Sequence, residues 1–199
     1  MPTLDFPTTI RPASVRWRQR ANTQVHESQL SRVATTYELP GSLWAVTLAF
    51  SDWRRSELAD LEAFVAMLRG RAGRFRLWNH ARETPRGIGT GTPLVAGASQ
   101  TGTTLNTRGW TPNTAGILLK GDYIGVNGEL KMVVADANAD ASGAAALTFE
   151  PPLRASPADL AAITVTRPTA VFRLDTDEVD FDYARSLGSL TLPCMEAIE

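Results

Sequence analysis

Few side chains in this chain of 199 residues offer chemistry. There are two histidines, His26 and His80, and one cysteine, Cys194. A single cysteine excludes an internal disulfide and a cysteine-based zinc site, and two histidines leave few soft ligands for a transition metal. His26, in Gln24-Val25-His26-Glu27, reads as a loop or strand-end residue; His80, after Trp78-Asn79, reads as a structural residue at a domain edge. Cys194 has no fixed histidine partner and reads as a buried or surface thiol. No Gly-x-Ser-x-Gly elbow is present, which argues against a serine hydrolase of that type.

Three further segments imitate known sites. Gly87-Ile88-Gly89-Thr90-Gly91 has the glycines of a phosphate loop, without its spacing, its Lys-Ser/Thr or a helix whose N-terminus would hold the anion. It reads as a linker. Asp136, Asn138 and Asp140 fall at the first three ligand positions of a calcium loop, but the sixth and twelfth places hold Ala141 and Leu147 instead of Gly and Glu. A polar hairpin loop ending at Gly143 is the preferred reading. Asp175-Thr176-Asp177-Glu178 reads as a solvated turn or an ion-pairing surface. Carboxylate pairs for glycoside hydrolysis are not decided by sequence spacing, and Trp110 and Tyr123 are the aromatics that would line a sugar site.

The elements that must position these groups follow from hydrophobic period. Residues 1–12, with Pro2, Pro7 and Pro12, have no period and read as an extended arm. Ser14 to Arg20 alternates, with Val15, Trp17 and Gln19 on one face and Arg16, Arg18 and Arg20 on the other. Val33 to Leu39 predicts a second strand and Trp44 to Phe50 a third, joined by the turn Pro40-Gly41-Ser42, the three forming an antiparallel sheet. A helix follows, with Ser51-Asp52 as N-cap, Leu58, Leu61, Phe64, Val65 and Leu68 on its core face, and Gly70 or Gly73 ending it after Arg69. Phe75 to Trp78 is a short strand.

From about residue 81 the composition turns to Gly, Thr and Pro, and short strands are predicted at Leu94–Ala98, Thr103–Thr107, Tyr123–Val126, Glu129–Ala135, Ala145–Glu150 and Ile163–Thr166. Asn127-Gly128 between two of them is a strong hairpin signal, because both residues tolerate positive φ. Five or six such strands suggest a small closed barrel, OB-like in size. After Arg167-Pro168 the first style returns: Ala170, Phe172 and Leu174 alternate, then Val179, Phe181 and Tyr183 alternate with Glu178, Asp180 and Asp182. The fold class expected is therefore mainly β with one α-helix, an antiparallel sandwich interrupted by a small OB-like barrel. Residues 1–87 and 167–199 form the outer domain and residues 88–166 the insertion.

Apolar residues make up 43% of the chain and the net charge is −1, which argues against a strongly basic nucleic-acid binder and an acidic disordered tail. Charge is unevenly placed. Residues 1–87 hold 13 basic and 8 acidic side chains, whereas residues 166–199 hold 3 and 7. The basic residues are 18 Arg against only Lys120 and Lys131, a bias in keeping with a GC-rich genome. The start of the chain has neither a basic nor an apolar leader segment, so no signal peptide is expected.

The layout resembles the distal tail proteins of long-tailed, non-contractile bacteriophages. Trp44-Ala45-Val46-Thr47-Leu48-Ala49-Phe50, the helix Ser56 to Arg69 and Phe75-Arg76-Leu77-Trp78-Asn79 resemble their ring-forming belt domain. Leu119-Lys120-Gly121-Asp122-Tyr123-Ile124-Gly125-Val126-Asn127-Gly128, the run Val133 to Gly143 and Phe149-Glu150-Pro151-Pro152-Leu153-Arg154 resemble the OB-like modules of phage tails. The resemblance implies a virion protein, assembled in the host cytoplasm into a homohexameric ring at the tail tip. That ring would join tail tube to hub or tip around a channel for DNA in transit. It implies no enzyme activity, cofactor or membrane anchor. A cyclic assembly needs one patch complementary to a different patch on the next copy. The stripes Arg16, Arg18, Arg20 and Glu178, Asp180, Asp182 are the candidate pair, unless they meet as cross-strand ion pairs within one sheet. The alternative function is a carbohydrate-binding module for host attachment; an enzyme, such as a tail-associated hydrolase, lacks a catalytic constellation.

Overall fold

The computed structural model describes residues 2–198. The chain is mainly β with one α-helix: a seven-stranded sheet, a six-stranded barrel and a two-stranded hairpin. The large sheet is built from β1 (Thr3–Asp5), β2 (Ser14–Arg20), β5 (Leu43–Arg54), β6 (Arg74–Trp78), β13 (Thr169–Leu174), β14 (Phe181–Ala184) and β15 (Leu187–Glu196). Its order is β1-β6-β13-β15-β5-β2, with β14 also pairing β15. All pairs are antiparallel except β1 with β6. The alternation in β5 and β13 turns Trp44, Val46, Leu48, Phe50, Ala170, Phe172 and Leu174 into the core. Helix α1 (Arg55–Leu68) covers one end of that face with Leu58, Leu61, Phe64, Val65 and Leu68, all buried as their spacing predicts.

Four expectations are corrected. The segment read as an extended arm is, from Pro2 onward, docked on the fold: Thr3–Asp5 pairs with β6, and Phe6 and Ile10 are buried, Phe6 among Phe50, Phe64, Phe75 and Trp78. The predicted second strand does not join the sheet. β4 (Ala34–Glu38) pairs only with β3 (Thr23–Glu27), and β2 lies directly on β5, Trp17 opposite Val46. Ser51-Asp52 does not cap the helix, because β5 runs on against β15 as far as Arg54 opposite Leu187. There the Arg54 N–H donates to Glu57 Oε2 at 3.3 Å, and the helix ends on a left-handed Arg69 followed by left-handed Gly70. Finally, strand β14 is only Phe181–Ala184, so Glu178 and Asp180 lie in the preceding loop.

The barrel contains β7 (Gly91–Val95), β8 (Gly102–Trp110), β9 (Tyr123–Val126), β10 (Glu129–Val133), β11 (Ala145–Leu153) and β12 (Ile163–Thr164), in the order β12-β9-β10-β11-β8-β7. A bridge between Leu94 and Ala162 nearly closes it. Asn127 and Gly128 have φ of 51° and 76° and turn β9 into β10 with Val126 opposite Glu129, the primed turn whose twist suits a hairpin. The barrel has its own core, including Leu105, Trp110, Leu147 and Phe149. Tyr123 and Leu130 belong instead to the core of the large sheet, beside Trp17 and Trp44.

Where the chain passes into and out of the barrel, the Arg167 N–H donates to the Glu83 carbonyl at 2.6 Å and the Arg167 guanidinium pairs with the Glu83 carboxylate at 3.0 Å. Buried Asp122 accepts from the N–H groups of Arg86 (2.7 Å), Gly87 (3.0 Å) and Leu119 (2.8 Å). The two ends of the insertion are thus pinned together.

Candidate functional site: an assembly surface

Each segment that imitates a small-molecule site is occupied by structural work. The N–H groups of Gly87, Ile88 and Gly89 donate to Asp122 and to the carbonyls of Gly116 and Ile117, so none is left to hold phosphate. Asp136 accepts from the Lys120 N–H, Asn138 from the Gly116 N–H, and Asp140 from Ser142 and the Ala144 N–H. These side-chain oxygens tie loops together, and among the described residues no group of three His, Cys, Asp or Glu converges as a metal site. Trp110 is buried in the barrel with its indole N–H on Thr107 Oγ1 at 2.7 Å, and Tyr123 is buried at the junction with the sheet. Neither presents a ring to a sugar.

The histidines and the cysteine are likewise without catalytic partners. His26 sits in β3 with its ring edge-on to Tyr37, 6.1 Å between centroids. His80 stacks on Trp78 at 4.6 Å, and burial lowers its pKa to about 4 against the opposing pull of Glu83. Cys194 is buried and its thiol is pushed up to about 12, chiefly by desolvation, which keeps it protonated and unreactive.

What the chain does present is an unfinished surface. Every residue from Arg18 to Pro40 is exposed. Within that stretch β3 and β4 form a hairpin whose register, Gln24 opposite Tyr37 and His26 opposite Thr35, puts His26, Val33, Tyr37 and Leu39 on one face. Leu30, at its tip, is 100% exposed, and Val33 and Tyr37 are more than half exposed. The hairpin is held at its root by the Leu39 N–H on the Asn22 carbonyl and by Asn22 Nδ2 on the Pro40 carbonyl, both 2.7 Å. A two-stranded hairpin is marginal in water without a covered face, and no element among the described residues covers it.

Beside the root, Arg16, Arg18 and Arg20 stand in a row on β2, an edge strand of the large sheet. Arg18 reaches Thr47 Oγ1 at 3.4 Å, and none of the three forms an ion pair within the described residues. Register carries the same face across the sheet from Arg18 through Ala45 and Met195 to Arg173, and Arg76 opposite Val171 continues it. Sequence spacing showed only the first three of these arginines; strand order adds the others.

The acidic set is separate. Glu178, Asp180 and Asp182 are exposed, on a loop and on β14, with β15 and β5 between them and β2. They form no ion pair with the arginine row, so cross-strand pairing within one sheet is not what happens. The loop is anchored by Asp177, which accepts from the Arg71 N–H at 3.0 Å. Tyr183, expected on the inward face, is half exposed and donates its hydroxyl to Glu62 at 2.7 Å, with Arg55 over its ring at 5.4 Å.

Neither a protein-family model nor a curated protein sequence matches this chain. Among the described residues no helix is long and apolar enough to cross a membrane.

Proposed function

We propose that the chain is a structural protein that assembles with copies of itself into a ring, in keeping with the resemblance to the distal tail proteins of long-tailed bacteriophages. On this reading it is an adaptor, most simply a hexamer, between tail tube and tail hub or tip, with a channel for DNA, and it is not an enzyme. The observation that carries the reading is the projecting hairpin, whose Val33, Tyr37 and Leu39 face has no cover among the described residues. The separated basic and acidic sets support it, because a ring is closed by heterologous contacts between unlike patches. The place in a phage tail rests on the sequence resemblance alone.

Native mass measurement of the purified chain, alone and with a tube protein, tests the reading: a closed oligomer is expected, and a monomer at every concentration and with the tube protein overturns it. Reversing Arg16, Arg18 and Arg20 to Glu weakens assembly without unfolding the chain, and so does reversing Glu178, Asp180 and Asp182 to Lys. Combining the sets restores part of the loss, since complementary charges face each other again. Exposed pairs contribute only about 0–1 kcal/mol each, so whole sets must be changed. Normal assembly of both triple variants removes the stripes from the contact.

A further inference from the structure

We infer that the barrel is a releasable module, held in one orientation by an ionic clasp of Glu196, Arg154, Glu129 and Lys131 at its junction with the large sheet. This goes beyond the assembly reading and does not depend on it.

Besides the apolar seam through which Tyr123 and Leu130 join the core of the large sheet, the barrel is tied to the sheet at two places. One is the neck, where Glu83 and Arg167 join the two connecting segments. The other is the clasp. Glu196, near the end of β15, accepts from Arg154 Nη2 at 2.5 Å through one oxygen and from the Trp44 N–H at 3.0 Å through the other. Arg154, just beyond β11, also approaches Glu129 at 3.6 Å. Glu129 Oε2 lies 2.6 Å from Lys131 Nζ, which donates to the Pro152 carbonyl at 2.7 Å. Trp44 adds a neutral link, its indole N–H on the Leu130 carbonyl at 2.9 Å.

The Lys131 side chain is 0% exposed and that of Glu196 1%. Two cations and two carboxylates balance, yet burying them costs most of what their attraction returns, and an apolar junction of the same volume would hold as well or better. What the charges add is a demand for one geometry. An apolar contact tolerates sliding, whereas Arg154 satisfies Glu196 only where the carboxylate meets its Nη2. The network is also incomplete, because buried Arg154 Nη1 has no partner. Beside it lies open space, a cleft of about 640 Å³ walled by Pro152, Leu153 and Arg154 on the barrel side and by Leu39, Pro40 and Ile198 on the other. Arg154 therefore has room into which it can swing and be solvated. Opening the clasp leaves the neck and the apolar seam, across which the barrel can shift. Because the root of the projecting hairpin forms one wall of the cleft, whatever seats there closes the route by which water reaches Arg154.

The test uses the full chain with cysteines at Asp60, on α1, and Lys120, on the barrel, both exposed positions. Cys194, buried and protonated, does not compete for the spin label. Pulsed electron resonance then reads the distance between helix and barrel. The parent gives one narrow distribution. Glu196→Gln, which keeps an acceptor for the Trp44 N–H but removes the charge, broadens the distribution or adds a second population while cooperative unfolding persists. The double variant Glu196→Met with Arg154→Met returns to one narrow peak, since an apolar pair docks without a charge to satisfy. A parent-like distribution in Glu196→Gln overturns the proposal, as does a double variant as broad as the single one. If Glu196→Gln does not fold, Arg154→Lys keeps the charge and loses the planar fork. It is expected to broaden the distribution, and an unchanged narrow peak overturns the clasp.

Discussion

Strand β5 has the projecting hairpin at one end and helix α1 at the other, and the two neighbours are treated oppositely. Both carry an amphipathic pattern. In α1 the five periodic residues Leu58, Leu61, Phe64, Val65 and Leu68 are all buried against the sheet. In the hairpin, Val33, Tyr37 and Leu39 share a face just as regularly and remain exposed. A hydrophobic period says that a face is built to be covered; it does not say by which chain. The cover for the helix is the sheet directly beneath it, whereas the hairpin face has no cover among the described residues.

The sharpest way to separate the two regions is to truncate both. Leu61→Ala or Phe64→Ala is expected to destabilise the chain by about 2–5 kcal/mol, because each leaves a cavity between helix and sheet. Phe64 packs edge-on against Phe6 at 5.4 Å and Phe75 at 5.5 Å, contacts that a smaller side chain forfeits. Denaturant unfolding of the unassembled chain measures this. A loss below about 0.5 kcal/mol would place the helix face in the same class as the hairpin.

A second contrast lies in proton binding. His80 has its pKa lowered from 6.5 to about 4, first by burial, so the folded chain holds it neutral. Between those values the unfolded chain binds the extra proton. Stability is therefore full above about pH 6.5, falls as pH drops toward about 4 and changes no further below that. After allowance for its partial exposure the effect is about 2 kcal/mol. His80→Phe is expected to flatten this part of the stability profile. An unchanged slope in His80→Phe would mean that another group carries the acid sensitivity.

Much of this architecture was legible from the residues themselves. Strand β13, the turn at Asn127-Gly128 and the buried face of α1 follow from local period and turn chemistry and appear where those rules put them; the six barrel strands are present with shifted bounds, β7 running Gly91–Val95 where the period predicts Leu94–Ala98. What was not legible depended on partners distant in sequence. The alternation of Val33 to Leu39 predicts a strand but not the sheet it joins, and β4 went to β3. The pattern from Glu178 to Tyr183 predicts a longer strand than exists: β14 pairs with β15 only from Phe181, and the loop before it is tied to the Arg71 N–H through Asp177. Of the candidate site, the arginine row was read correctly as a row, while Arg173 and Arg76 joined its face only through strand order. The buried Lys131 and Glu196 gave no sequence signal, since a charged residue in a strand ordinarily faces water.

The smallest expected change in stability belongs to the hairpin, and it carries the most information about assembly. Replacing Val33, Tyr37 and Leu39 by Ser removes its apolar face without touching the core, because all three are exposed. In the unassembled chain each substitution is expected to shift stability by no more than about 0.5 kcal/mol. On the proposed assembly the same side chains are covered, so the triple variant is expected to remain monomeric at concentrations where the parent would assemble. Salt separates this contribution from that of the charge stripes. Raising ionic strength from 0.1 M to 1 M shortens the screening length from about 10 Å to 3 Å and weakens contacts made by Arg16, Arg18 and Arg20. Apolar contacts made by the hairpin persist under the same change. An oligomer that dissociates in salt but tolerates the triple Ser variant is held by the stripes; one that resists salt and is lost in the variant is held by the hairpin. A triple variant that unfolds the isolated chain would show that this face is covered from within, and the contrast between the two ends of β5 would fall.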